Sequence, residues 1–503
     1  MDALSIRHGS PARLTDLPVL PFEIFRRGMI AGISAGARLS SFFGMPSGPG
    51  RVRLIAVLAG PANDELHISS ADVGEHFRSL TPECPQAHLF EREIAEQFGI
   101  VPEGHPWLKP VRFAGSATGR DIWNRGGDIL PGVTDFFKVD GETVHEVAVG
   151  PVHAGIIEPG HFRFQCHGED VFHLEIALGY QHRGVERALA GGPDKRSVHY
   201  AETLAGDTTI GHTWAYCANI ESLAGISVSA RAQAIRAIAL ELERLANHTG
   251  DLGALAGDIG FLPTASFCGR IRGDFLNMTA VLCGNRFGRG LVRPGGVGYD
   301  IDDRLVDDLS ARLDAAFGYL KGAAELMFGA SSVMTRFENT GRISREDCLK
   351  LGLVGPAARA CGADIDTRRS HPLGAYKDRK TPEAGCSDGD VYSRAMVRWV
   401  EAQDSAGFVK SMLESLPAGE VMAVSGESKL RPEGIAVTLA EGWRGEVCHV
   451  AITDAGGKFA RYKVVDPSFH NWSGLAFALR GQQISDFPLC NKSFNLSYCG
   501  HDL

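Results

Sequence analysis

The stretch SARAQAIRAIALELERLANHTG (229–250) constrains the fold more than any other part of the chain. Ile235, Ile238, Leu242 and Leu245 recur at the three- and four-residue spacing of one helical face, and Gly250 is expected to end the run. A long helix with an apolar stripe must bury that stripe against other elements, which calls for a large, mainly helical domain. Strands are expected at both ends of that domain. VHEVAVGPVHAG (144–155) and HFRFQCHGEDVFHLEIAL (161–178) read as paired strands around a Gly-Glu turn, and GIAVTLAEG (434–442) and GEVCHVAITD (445–454) as later ones. The expectation is one small sheet made from both ends.

The first part of the chain reads differently. RVRLIAVLAG (51–60) predicts a strand, while ADVGEHFRSL (71–80) and PQAHLFEREIAEQFGI (85–100) predict helices, the second stopping at Gly99. Residues 1–50 are rich in Gly, Ser and Pro and read as a poorly specified lead-in, and GSATGRDIWNRGGDILPG (115–132) as a turn-rich connection. The expected organisation is a lead-in over 1–50, a small α+β domain over 51–115, a linker over 116–140 and the large domain over 141–503. The fold class is α+β.

Composition removes several classes of function. Hydrophobic residues make up 44% and charged residues 22% of the 503 positions, the pattern of an ordinary globular protein. The net charge of -9 and the lack of a Lys/Arg-rich run argue against nucleic-acid binding. No apolar run reaches the ~20 residues that span a bilayer, and the N-terminus lacks the basic-then-apolar order of a signal peptide. A cytoplasmic location is expected, with any membrane contact made through partners. The eleven cysteines include no C-x-x-C pair, which argues against a zinc ribbon, a redox dithiol or a ferredoxin-type loop.

Two sets of motifs carry a resemblance. EREIAEQFGIVPEGHPWLKPVRF (91–113) resembles the signature of the 30 kDa subunit of respiratory complex I, departing only at Glu96, where Asp is usual. GPVHAGIIEPGHFRF (150–164), GYQHRGVER (179–187), ELERLANHTGD (241–251), VRPGGV (292–297), GDVYSRAMVRWVE (389–401), GWRGEV (442–447) and DPSFHNWSGL (466–475) follow in order. Together they resemble the 49 kDa subunit of complex I and, more closely, the large subunit of membrane-bound group 4 NiFe hydrogenases. Both modules in one chain is the arrangement of the formate-hydrogenlyase type. The resemblance implies a subunit of an oxidoreductase complex of the hydrogenase-4 or NADH-quinone oxidoreductase kind, with NAD and quinone chemistry in the wider assembly. It also implies a small 4Fe-4S subunit and antiporter-like membrane subunits as partners. The chain would sit on the cytoplasmic face of the inner membrane.

The site residues depart from that family. A Ni-Fe centre is held by four thiolates in two C-x-x-C pairs, because soft sulfur donors suit these metals. Here the first pair falls on Ala205 and Thr208 and the second on Ser497 and Gly500, with Cys499 one position off and Cys490 further upstream. Ni-Fe is therefore not expected, nor is any other cofactor bound by this chain itself, and no metal ligand is assigned. The 49 kDa quinone site is also altered: its tyrosine position falls on Gly206 and its histidine near Pro159, beside Glu158 and His161, with Asp258 kept. The alternative reading, a quinone-reducing subunit with a reshaped pocket, uses His161 and Asp258. A third reading is a non-catalytic scaffold.

The surround of the centre is kept. Arg183 matches the arginine that faces the terminal 4Fe-4S cluster of the partner subunit. Glu186 matches the glutamate that starts a proton path, a role that burial serves by raising the carboxyl pKa. His212 and Arg444 match groups beside and over the lost metal, and are expected to fill and neutralise a polar cavity. His153 is expected to order its loop. Asp207, with its threonine neighbours, is expected to cap the helix that follows.

Overall fold

The computed structural model describes residues 2–61, 64–125, 129–155, 157–379, 381–382, 385–423 and 429–503. Its N-terminal part is an antiparallel sheet in the order Leu4–Arg7, Glu65–Val73, Arg51–Ala59, Arg38–Gly48. Helix Phe22–Ser34 packs on the inner strands, and helix His88–Phe98 packs on Arg38–Gly48. Helix His88–Phe98 ends at Gly99, which takes a left-handed φ of 66°.

Two expectations fail here. Residues 1–50 are not a poorly specified lead-in. They supply strands, a helix and the buried Phe25, Met29, Leu39, Phe42 and Phe43. The glycines and serines around these residues hid an ordinary apolar pattern. ADVGEHFRSL is not a helix either: it ends the strand Glu65–Val73 and continues as His76–Arg78, which pairs with Val101–Glu103. Its partners lie on other strands. Asp72 faces Arg53 across the sheet and accepts both of its hydrogen bonds, at 2.9 and 3.1 Å.

The expected single sheet from both ends of the large domain is two sheets. Val144–Val149, His161–His167 and Asp170–Ala177 form one, and the hairpin turns at Gly168-Glu169. The other runs Phe459–Val465, Gly445–Thr453, Gly434–Gly442, Pro11–Arg13, so its last strand comes from the N-terminus. Both faces of this sheet are covered. Ile435, Val437, Leu439, Val450 and Ile452 join the core of the N-terminal part, while Ala436, Ala451 and Val464 join the core of the helices. Burial on both faces explains why GIAVTLAEG and GEVCHVAITD lack a polar face.

Helix Ala230–Asp258 is the centre of the helical part, packed by Leu262–Cys283 and Val391–Glu414. Ser229 caps its start by accepting from the Ala232 amide. Gly250 does not end it. A Cβ there would meet Arg272 Cδ at 2.8 Å, and one at Gly253 would meet Cys268 Cβ at 2.6 Å. These glycines are notches that let the next helix approach, and the helix stops eight residues later. Among the described residues no helix is long and apolar enough to cross a membrane. The 116–140 segment has no helix or strand among its described residues, and residues 126–128 of it lie outside them.

Candidate functional site

The two stretches that would carry thiolate pairs converge. Ala205 and Thr208 precede helix Thr209–Ala224, while Ser497 and Gly500 lie at the short C-terminal helix Tyr498–Asp502. Arg183 ties them together, donating to the carbonyls of Thr203 at 2.7 Å, Leu204 at 2.9 Å and Cys499 at 3.4 Å. Asp466 ties them again. Its Oδ2 is 2.9 Å from His212 Nε2, and a Cβ on Gly500 would fall 2.6 Å from its carboxyl carbon. Position 500 has no room for a side chain while Asp466 stands there.

Asp207 does not cap the following helix, and the N-cap residue Thr208 makes no side-chain cap bond either. Its carboxylate instead takes both arms of Arg444, at 2.6 and 2.8 Å, a bidentate charge-assisted pair. Arg444 also donates to the Asn495 carbonyl at 2.5 Å and lies over the Trp443 ring, 3.9 Å from its centroid. The cap reading failed because the competing cation lies 237 positions away.

The helix is capped from elsewhere. Glu243, on the long helix, accepts from the amides of Ile210 at 2.7 Å and Gly211 at 3.3 Å. Burial pushes its carboxyl up to about 8, with Asp207 adding to the shift and the two amides and Arg244 opposing it. The folded protein thus keeps a proton that the unfolded chain releases above about 4.3. Stability from this group is full below that value and is lost as pH rises towards 8. The Glu243→Gln variant is expected to lose that decline, which urea unfolding at a series of pH values measures.

Inward from Asp466 runs a buried polar chain. His212 Nδ1 is 3.1 Å from His449 Nε2, and His449 Nδ1 is 2.9 Å from the Tyr462 hydroxyl. All three side chains and Asp466 are buried. Burial, then the neighbouring His212, pushes His449 well below the ordinary imidazole value, so it is neutral. Asp466, His212, His449 and Tyr462 thus form one continuous line of polar contacts through the interior. Among the described residues no group of three or more His, Cys, Asp or Glu side chains is placed to hold a metal ion. Burial, with Glu158 nearby, pushes the Cys499 thiol up to about 12, so it is not a thiolate at neutral pH.

Glu186 belongs to a different cluster. It pairs with Lys463 and Arg461, each at 2.9 Å, and Lys463 pairs in turn with Glu93, which also meets Arg112. Burial alone would raise Glu186, but Lys463, Arg461 and Arg112 outweigh it and hold the carboxyl below its ordinary value. The raised pKa expected for a proton shuttle is therefore corrected: this carboxylate is clamped in its ionised form.

The remaining expected residues lie elsewhere. His153 Nε2 is 2.9 Å from the Gly160 carbonyl, across its own loop. His161 begins a strand, 3.4 Å from the Gly150 carbonyl and 3.3 Å from Arg163. Asp258 is exposed at the end of the long helix. Asp466, His449 and Glu243 were not singled out from sequence, although all three fall in or beside quoted motifs. A carboxyl or imidazole inside an otherwise apolar strand or helix face was the available signal.

Comparison with known proteins gives two family matches. Residues 39–116 match the respiratory-chain NADH dehydrogenase 30 kDa subunit and residues 258–502 the 49 kDa subunit. Carbon monoxide-induced hydrogenase of Rhodospirillum rubrum is 32% identical over 355 residues, 70% of this chain and 98% of that protein. Formate hydrogenlyase subunit 5 of Escherichia coli K12 is 31% identical over 444 residues, 84% of this chain and 76% of that one. Among solved structures, a chain of the membrane-bound sulfane sulfur reductase, an archaeal respiratory membrane complex, shares the fold with a TM-score of 0.67 at 23% identity. The match covers 73% of this chain and all of that one.

Proposed function

From the premise that this chain belongs to the family of group 4 hydrogenase large subunits, with the 30 kDa and 49 kDa modules of complex I in one polypeptide, we propose a subunit remodelled around a lost metal site. It is a subunit of the membrane-bound hydrogenase and complex I-like kind. In this reading it docks a small 4Fe-4S subunit on the cytoplasmic face. It couples redox or charge changes to proton or ion movement in antiporter-like membrane partners.

One observation carries the loss of the metal. Of the four ligand positions, Ala205, Thr208, Ser497 and Gly500, two abut groups that already satisfy one another: Thr208 lies 3.4 Å from Arg444, which pairs with Asp207, and Gly500 lies against Asp466, which pairs with His212. A Ni-Fe centre needs soft thiolate donors, and this hard, internally paired set does not fit one. What remains suits proton and charge handling. The Asp466–His212–His449–Tyr462 line offers a proton a continuous buried path, and the Arg444–Asp207 pair neutralises the place of the old centre. Quinone reduction has weaker support. It needs His161 and Asp258 at one pocket, while His161 is engaged by Gly150 and Arg163, and Asp258 is exposed at a helix end.

The docking half of the reading rests on Arg183. It is exposed, it donates only to carbonyls, and it makes no ion pair among the described residues. Such a cation favours the reduced state of a nearby cluster. In the intact complex, Arg183→Gln is expected to lower the potential of the nearest 4Fe-4S cluster, and Arg183→Glu to weaken retention of that subunit. Redox titration and co-purification measure the two. Unchanged potential and unchanged retention in both variants contradict the reading.

A further inference from the structure

A cavity of about 510 Å³ opens where the two modules meet, away from the Arg444–Asp207 cluster. Helix His88–Phe98 and the segment after Gly104 make one side, and strand Asp170–Ala177 with helix Pro467–Ala478 the other. Leu89, Trp107, Leu174, Trp472 and Phe477 give it apolar walls. Its volume falls in the range of pockets that enclose small organic ligands.

The polar groups select the ligand. Arg92, Lys109 and Arg480 line the cavity with a single carboxylate, Glu175, which pairs with Lys109 at 2.7 Å. Arg92 donates to the carbonyls of Lys109 and Pro110, both at 2.8 Å, and Arg480 lies 4.8 Å from the Phe477 ring centroid. Neither makes an ion pair among the described residues. Two lining side chains, His173 and Trp472, are more than nine-tenths buried, and His173 Nε2 and Trp472 Nε1 have no hydrogen-bond partner. Buried polar atoms are normally satisfied, and leaving one bare is costly. Three cations against one carboxylate, two bare ring nitrogens and aromatic walls describe one class of ligand. We propose that this interdomain cavity binds a small amphipathic anion, an apolar body with one acidic head, held by Arg480 and Arg92 and by the Trp472 and His173 nitrogens. His501, also in the lining, sits one residue after Gly500, so the bound anion would lie against the helix that closes the old metal position.

The probe is anilinonaphthalene sulfonate, titrated by fluorescence into the purified full chain. The expected result is one saturable site per chain, weakened about tenfold, a change of about 1.4 kcal/mol, by Arg480→Glu. Trp472→Phe, which keeps a ring and removes the N–H, is expected to weaken it too. Ala476→Trp, which fills the cavity, is expected to abolish it, with circular dichroism confirming that each variant folds. Displacement of the probe by dodecanoate assigns an acyl chain as the natural body, and displacement by naphthoate a ring system. Non-saturable binding, displacement by neither competitor, or the same affinity in Arg480→Glu and Trp472→Phe as in the parent overturns the proposal.

Discussion

Replacing Arg359 by methionine is expected to destabilise the fold by about 3–5 kcal/mol, the range for removing one partner from a buried ion network. Arg359 donates to Glu401 and Glu441, both at 2.7 Å, and to the Ile365 carbonyl. Asp366 lies 3.8 Å away. Four buried carboxylates, Glu241, Asp366, Glu401 and Glu441, meet three buried guanidiniums, Arg244, Arg359 and Arg368. Removing Arg359 leaves these four with Arg244, Arg368 and the half-buried Arg379, which lies 3.8 Å from Glu241 and also pairs with Asp404. Burial already pushes Glu441 up, so this carboxylate takes a proton first. The double variant Arg359→Met with Glu441→Gln should therefore recover part of the loss, a non-additivity that chemical unfolding resolves. A loss below about 1 kcal/mol for the single variant would remove the network from the account of stability.

The second large effect is expected at Lys463. Its ammonium stands between Glu93, at 2.6 and 2.8 Å, and Glu186 at 2.9 Å, and it joins the N-terminal module to the C-terminal sheet. Lys463→Met leaves both carboxylates buried with only Arg112 and Arg461, again at a cost of about 3–5 kcal/mol. The cations outweigh burial and hold Glu93 and Glu186 below the ordinary carboxylate value. Groups shifted in that direction stabilise the fold above the unfolded-state value and lose that contribution as pH falls. The variant lacks a cation that depresses them, so its deficit against the parent should be largest at neutral pH and should narrow as pH falls and both carboxyls take up protons. If thermal unfolding of Lys463→Met matches the parent at neutral pH, the clamp on Glu186 is not what the geometry implies.

Much of the architecture was legible in the chain, and the misses share a cause. The apolar spacing of Ile235, Ile238, Leu242 and Leu245 marks a buried helix because that information is local. Gly250 misled because its role is set by Arg272, on the next helix. The strand ending in ADVGEHFRSL was missed because its evidence is a ladder to Val52, Arg53 and Leu54. The site behaves likewise. The empty ligand positions could be counted, since motif spacing is local, but what replaced them could not. Asp207 and Arg444 are 237 positions apart, His212 and Asp466 254, and Glu186 and Val464, the neighbour of Lys463, 278. Glu186 shows the consequence most clearly. Burial alone argues for a raised pKa, and the approach of Lys463, Arg461 and Arg112 reverses the sign.

The central claim is that hard, mutually paired side chains have replaced the thiolate set of a Ni-Fe centre. Its most direct test is the nickel content of the assembled complex, purified from cells supplied with nickel and measured by mass spectrometry against the amount of this chain. The account predicts nickel far below one atom per chain. Nickel at one atom per chain would contradict it.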